Sequence, residues 1–260
     1  MQNYLSDNPA FGAALDSLAA GKSISIDGVI GSACALTVLA IAAKIQKTIL
    51  TVAANPESAE MLADDMEILA RTSNTNVLLF PPLEDDMTED MGDDTEDNPF
   101  ALSDANFGSR IHVLKYLNAC AEAAIIVTSM SALLLEVIPR EVLAEQTQTL
   151  SVSQRIDLEQ LRLYLVGSGY QSVPAVELPG EFAVRGYILD IFAPDWQQPV
   201  RIELFDDEIE SIRRFDSVTQ RSLDSISSID LTRILPSEST GASLLDYLAA
   251  DTPVVLISSE

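Results

Sequence analysis

Few stretches of this sequence carry residue types that chemistry could use, and each lacks a necessary partner. The turn Gly28–Ala35 (GVIGSACA) sits where a phosphate loop would sit, between a strand-like and a helix-like run. A working loop reads G-x-x-x-x-G-K-[ST]: backbone amides cradle phosphates, the lysine neutralises the outer ones, and the hydroxyl holds magnesium. Counting from Gly28, the second glycine falls at Ala33, the lysine at Cys34 and the hydroxyl at Ala35, with Gly31 inside the loop. This is a degenerate loop for which no nucleotide is expected. Val200–Glu208 (VRIELFDDE) imitates a strand ending in a magnesium-binding acidic pair. Its charges at Arg201 and Glu203 alternate with apolar residues, so only one face is buried, whereas a strand inside a nucleotide-binding sheet is apolar throughout. Glu84–Asp97 holds nine carboxylates. A calcium loop in register with Gly92 would need an oxygen ligand at Met87, so the stretch reads as a solvated acidic loop that folding could spare. With His112 as the single histidine and Cys34 and Cys120 far apart, neither a Ser/His/Asp set nor a zinc site is available. No catalytic residue and no metal ligand are expected.

The elements around these residues fall into two styles. SISID (Ser23–Asp27), TILTVA (Thr48–Ala53), NVLLF (Asn76–Phe80) and AIIVTS (Ala124–Ser129) read as short strands. They are separated by helices over Ser32–Lys47, Pro56–Arg71 with Asn55 as N-cap, and Ser109–Ala121. That alternation predicts a parallel sheet covered on both faces. After about Glu145 one helix (Asp157–Val166) is followed by strands with tight turns: Glu181–Phe192, Pro199–Phe205, Glu208–Asp216 and Ser225–Ile234. This predicts a small antiparallel α+β unit. A short helix (Ser243–Ala249) and the apolar strand PVVLISS then resume the first style, and the chain stops as though truncated. The domain reading is 1–144 for the α/β domain, 145–234 for the α+β domain, and 235–260 for the start of a returning α/β segment.

Charge narrows the function further. Fifteen basic residues face 40 acidic ones, a formal net charge of −25, which suits poorly a surface that must neutralise phosphates. No apolar run reaches the roughly 18–20 residues of a membrane span. The N-terminus lacks the pattern of a secretory signal, and two unpaired cysteines in apolar surroundings suit a reducing cytoplasm. The basic residues after position 150 are all arginines. In the strand Val200–Phe205, Val200, Ile202 and Leu204 point one way, and Arg201, Glu203 and Phe205 the other, onto an expected solvated face. In the preceding strand Arg185 is expected to share a face with Tyr187. Exposed aromatics flanked by arginine are the material of interface hot spots; the same pattern also suits an ordinary solvated sheet face.

GEFAVRGYILDIF (Gly180–Phe192), PVRIELFDDEIESIRRFD (Pro199–Asp216) and TQRSL (Thr219–Leu223) closely resemble the second domain of bacterial transcription-repair coupling factors, and more distantly the excision-repair protein UvrB. FGSRIHVLKYL (Phe107–Leu117) and VTSMSALL (Val127–Leu134) resemble the same module more weakly. The resemblance implies a RecA-like α/β domain that has lost its ATP site, interrupted by a small domain that docks on UvrA. It implies DNA repair by transcription-coupled nucleotide excision repair, with this chain a binding module and not an enzyme. ATP, magnesium, RNA polymerase and DNA would be engaged by motor and polymerase-binding domains beyond residue 260. The family's UvrA-contacting residues map onto Arg185, Arg201 and Phe205, with two guanidiniums gripping partner carboxylates around an aromatic anchor. Leu204 stands where the family often has phenylalanine. Alternatives are a UvrB-like damage-binding ATPase, against which the missing lysine argues, and a structural module that only restrains the motor of its own chain.

The degenerate loop yields a direct expectation. Calorimetric titration with ATP and magnesium should show no saturable binding and no hydrolysis; micromolar binding at Gly28–Ala35 would overturn the reading.

Overall fold

The computed structural model describes residues 8–71, 75–83, 105–119, 122–233 and 241–258; Glu84–Asp97 and Cys120 lie outside them. Helices α1 (Pro9–Ala19) and α2 (Ser32–Ile45) precede β1 (Ile49–Ala53) and α3 (Pro56–Ala70). Then come β2 (Asn76–Phe80), α4 (Ala105–Asn118), β3 (Ala124–Ser129), and the short helices α5 (Met130–Leu133) and α6 (Arg140–Glu145). Strand β4 (Thr147–Ser151), α7 (Leu158–Gly167) and β5 (Gln171–Ser172) lead into β6 (Glu181–Arg185), β7 (Ile188–Ile191), β8 (Val200–Phe205) and β9 (Glu208–Phe215). The chain ends with β10 (Ser222–Ile226), β11 (Ser228–Thr232), a 3₁₀ turn (Leu244–Tyr247) and β12 (Val254–Ile257). No described helix is long and apolar enough to cross a membrane.

These elements form two compact units, one of residues 1–82, 113–136 and 243–260, the other of 83–112 and 137–242. In the first, a parallel sheet runs in the order β12-β1-β3-β2. Both alternating sets of side chains in β1 and β3 are buried, as a parallel sheet with two covered faces requires. Asn55 caps α3 as expected, its side chain accepting from the Ser58 amide at 2.8 Å, which satisfies one of the orphan donors at a helix start. The expected strand Ser23–Asp27 does not form. Its Ile24 and Ile26 are only half-buried, too little apolar cover to hold a pairing, and β12 takes the place beside β1.

The second unit holds a six-stranded sheet, β10-β9-β8-β7-β6-β5, antiparallel except for the short β5–β6 pair, and a separate antiparallel pair β11–β4. Its core combines Leu161 and Leu165 of α7 with Phe182, Leu189, Ile191, Val200, Ile202, Leu204, Ile209 and Ile212 of the sheet. Two expected strands are each two strands. Glu181–Phe192 folds back at Gly186-Tyr187, and Ser225–Ile234 is divided between β10 and β11, which belong to different sheets.

The start of α4 is seated in this second unit. Phe107 packs against the core cluster, and Gly108 presses on the backbone of Pro194, where a Cβ would meet the carbonyl oxygen at 2.0 Å. Gly108→Ala should therefore lower stability. The helix gains about 1 kcal/mol of propensity from alanine, but forcing backbone apart costs typically 1–3 kcal/mol, and this overlap lies at the severe end. Urea unfolding of the chain would show a lower midpoint with an unchanged slope.

Candidate protein-interaction surface

The site is built on the β6–β7–β8 meander. Gly186 adopts φ +61 and Arg185 pairs with Ile188, so Gly186-Tyr187 is a two-residue hairpin loop with glycine at the first central position, as a type II′ turn demands. Tyr187 thus stands at the turn and not on a strand face with Arg185. Ile188 pairs with Glu203 and Asp190 with Arg201 across β7–β8, while Ala183 pairs with Asp190 across β6–β7. Arg185, Ile188 and Glu203 therefore form one cross-strand row, and Ala183, Asp190 and Arg201 the next, on a single face of the sheet. Arg185 and Arg201 lie two strands apart, with β7 between them.

That face is not solvated throughout. At one end Ala183, Phe192 and Phe215 are buried beneath Val176, with Val173 and Trp196 packed at the margin. Asp216 anchors the turn on this side: its Oδ1 accepts from the Thr219 amide at 2.6 Å and the Thr219 hydroxyl at 2.7 Å. Those two bonds, the amide first, hold the Asp216 carboxyl below the usual range. Gln220, four residues on, donates to the Ser217 carbonyl at 2.7 Å and the Val176 carbonyl at 3.3 Å.

Arg201 sits at the border of this covered region. Its Nε donates to Asp190 Oδ1 at 2.6 Å and its Nη2 to Asp190 Oδ2 at 2.8 Å, a bidentate pair. Nη2 also reaches Gln220 Oε1 at 3.5 Å, and the guanidinium carbon lies 4.8 Å from the Phe215 ring centre, within cation–π range. The Asp190 side chain is 3% exposed and that of Arg201 20%. The hydrogen bonds to Asp190 push the Arg201 guanidinium further above its ordinary value, against the effect of partial burial. The expectation that Arg201 offers its fork to a partner is thus corrected: Asp190, buried and directly opposite, already occupies it.

The other end of the face is open. Phe205 is 75% exposed and Tyr187 62%, held together by the Leu204 amide donating to the Tyr187 carbonyl at 2.9 Å. Arg185 is exposed and donates through Nη2 to the Pro174 carbonyl. Leu204 points inward and is buried. A bulge between Glu203 and Leu204 brings Ile209 opposite Leu204 and Ser211 opposite Glu203, leaving Glu210 as the extra residue. The three-residue spacing of buried Ile209 and Ile212 signalled it, because a regular strand buries every second residue. Asp190 is the buried partner on this face that strand reading missed, and an aspartate inside the apolar run ILDIF was its signal.

The loop Gly28–Ala35 belongs to the first unit, so it and the arginine face are separate features. Gly28 and Gly31 take φ +77 and +55, Ala35 is buried, and the Cys34 thiol donates to the Val29 carbonyl at 3.4 Å. The Ala33 and Cys34 amides donate to the carbonyls of Ile30 and Gly31 at 3.3 and 2.9 Å, so they close their own turn.

Residues 149–238, which contain this whole face, match the UvrB interaction domain. The chain is 32% identical over 221 residues to the transcription-repair-coupling factor of Myxococcus xanthus, covering 85% of this chain and 18% of that protein. It is 31% identical over 233 residues to that of Bacillus subtilis, 89% of this chain and 19% of the other. The match to the Staphylococcus haemolyticus protein, at 31%, runs over all 260 residues and 20% of that protein. The chain thus spans about a fifth of the length of these relatives.

The geometry separates the three site residues by their structural cost. Arg201→Ala strands the Asp190 carboxylate in the covered region and should cost roughly 3 kcal/mol of stability, as breaking a buried pair does. Arg185→Ala and Phe205→Ala should each stay within about 0.5 kcal/mol, as exposed positions do. Chemical denaturation of the three variants beside the parent chain would test this ordering.

Proposed function

For a chain that is homologous to part of the transcription-repair-coupling factors and carries a UvrB interaction domain, we propose that its task is to dock UvrA through the open end of the β6–β7–β8 face. It thereby serves as the recruiting arm of transcription-coupled nucleotide excision repair. The observation that carries this reading is the exposed set of Arg185 and Phe205 on one sheet face with Tyr187 at the adjoining hairpin turn, inside residues 149–238. Aromatic and arginine side chains concentrate binding energy because they bury large area with few rotors and offer several fixed donors. A chain with such a patch, and with Cys34 and Ala35 where a phosphate loop needs its lysine and its hydroxyl, reads as a binding module without ATPase activity of its own. ATP turnover with magnesium, contact with RNA polymerase and movement on DNA would belong to other parts of the longer protein, working in the cytoplasm. The Gly28–Ala35 loop, whose Ala33 and Cys34 amides bond within their own turn and which has Cys34 at the lysine position, favours this reading over that of a damage-binding ATPase.

Titration of the chain against UvrA tests the proposal. Saturable binding is expected, and Phe205→Ala and Arg185→Ala should each weaken it by about 1–3 kcal/mol with unchanged melting. Absence of binding by the folded parent chain would overturn it.

A further inference from the structure

We infer that the two arginines of the patch read different chemistry: Arg185 takes a partner carboxylate, whereas Arg201, locked by Asp190, offers only its Nη1 amino group to a neutral oxygen such as a backbone carbonyl. The inference deepens the docking reading above and rests on it. A guanidinium has five N–H donors in a fixed fork. In Arg201 the Nε and Nη2 edge is consumed by Asp190, and Nη2 also faces Gln220. Among the described residues Nη1 makes no hydrogen bond. The pair is neutral as a unit, so a second carboxylate arriving there would meet Asp190 as well as Arg201 and would gain little. A carbonyl or amide oxygen asks only for a directed donor, which Nη1 supplies.

The clamp also removes motion. Phe215 lies under the guanidinium and Gln220 beside it, and Gln220 is itself tied to Ser217 and Val176. Asp190 and Gln220 are positioning residues: they fix where Nη1 points before a partner arrives, which lowers the ordering cost of docking. Arg185 differs in each respect. It is exposed, its one acceptor is the neutral Pro174 carbonyl, and among the described residues it makes no salt bridge. Arg213, the third arginine of this face, is answered by Glu203 at 3.2 Å. Glu208, opposite Phe205, adds a negative charge at the far end. A single partner carboxylate is therefore directed to the Arg185 side of Phe205.

The test is the salt dependence of UvrA binding, since exposed charge pairs are screened and neutral hydrogen bonds are not. Arg185→Gln should weaken binding at low salt at least tenfold and flatten its dependence on salt. The double variant Asp190→Asn/Arg201→Gln replaces a neutral pair by a neutral pair. It should weaken binding about three- to tenfold and leave the salt dependence as in the parent. Arg201→Lys, which keeps the charge and loses the directed Nη1, should not restore affinity. Arg201 Nε–H exchange by NMR provides a readout on the unaltered chain. Its signal should be slow to exchange in the free protein and remain so with UvrA, while that of Arg185 shifts. The inference is overturned if the double variant flattens the salt dependence while Arg185→Gln does not, if Arg201→Lys binds like the parent, or if the Arg201 signal loses protection on binding. No binding by the parent chain at all is the distinct outcome that removes the docking reading itself.

Discussion

A carboxylate taken out of water on a sheet face must be answered by a cation, and Asp190 is answered by Arg201 across one strand boundary. The pairing fixes more than two side chains. It marks the line on which the face changes from covered to open, because Phe215 and Gln220 close in on the guanidinium from the covered side. Ionised groups lose several kcal/mol on burial unless the geometry repays it, and here two short parallel hydrogen bonds do so. Everything exposed beyond that line, from Arg185 to Phe205, is presented by strands whose register this pair helps to hold.

The remainder of the face follows from turn chemistry and from one bulge. Glycine at position 186 permits the positive φ of a II′ loop and so decides that Arg185 faces Ile188. Moving the register by one residue would send Phe205 inward and Leu204 into solvent. The bulge before Leu204 lets the next strand bury both Ile209 and Ile212 despite their odd spacing. Local backbone devices thus set which aromatics stay outside, and the apolar core beneath confirms the same register independently.

Much of this was legible from residue order. Asn76–Phe80 and Ala124–Ser129 form strands over the predicted residues because continuous β-branched and apolar runs bounded by polar residues have few other outcomes. The inward and outward sides of Val200–Phe205 follow from strict alternation. Ser23–Asp27 misled because two isoleucines in alternation describe a strand's shape without supplying a neighbour. The run Glu181–Phe192 hid its hairpin because one glycine between apolar stretches resembles a strand interior. Arg201 looked available because periodicity shows which face a residue occupies but not what stands opposite it. That depends on the β7–β8 register, a long-range property of the chain.

The discontinuous make-up of the first unit has a consequence for how the protein is made. Strand β1 pairs with β12, roughly 200 residues later, and the segments between include the whole second unit. A ribosome delivers β1, β3 and β2 long before β12, so one edge of that parallel sheet must wait. Non-local pairing of this kind is slow because loop closure precedes any reward. The meander β6–β10 of the second unit, whose strands pair with their neighbours in sequence, has no such delay. Synthesis therefore favours a sequence of events in which the interaction surface matures first and the sheet that embraces it in sequence is completed last.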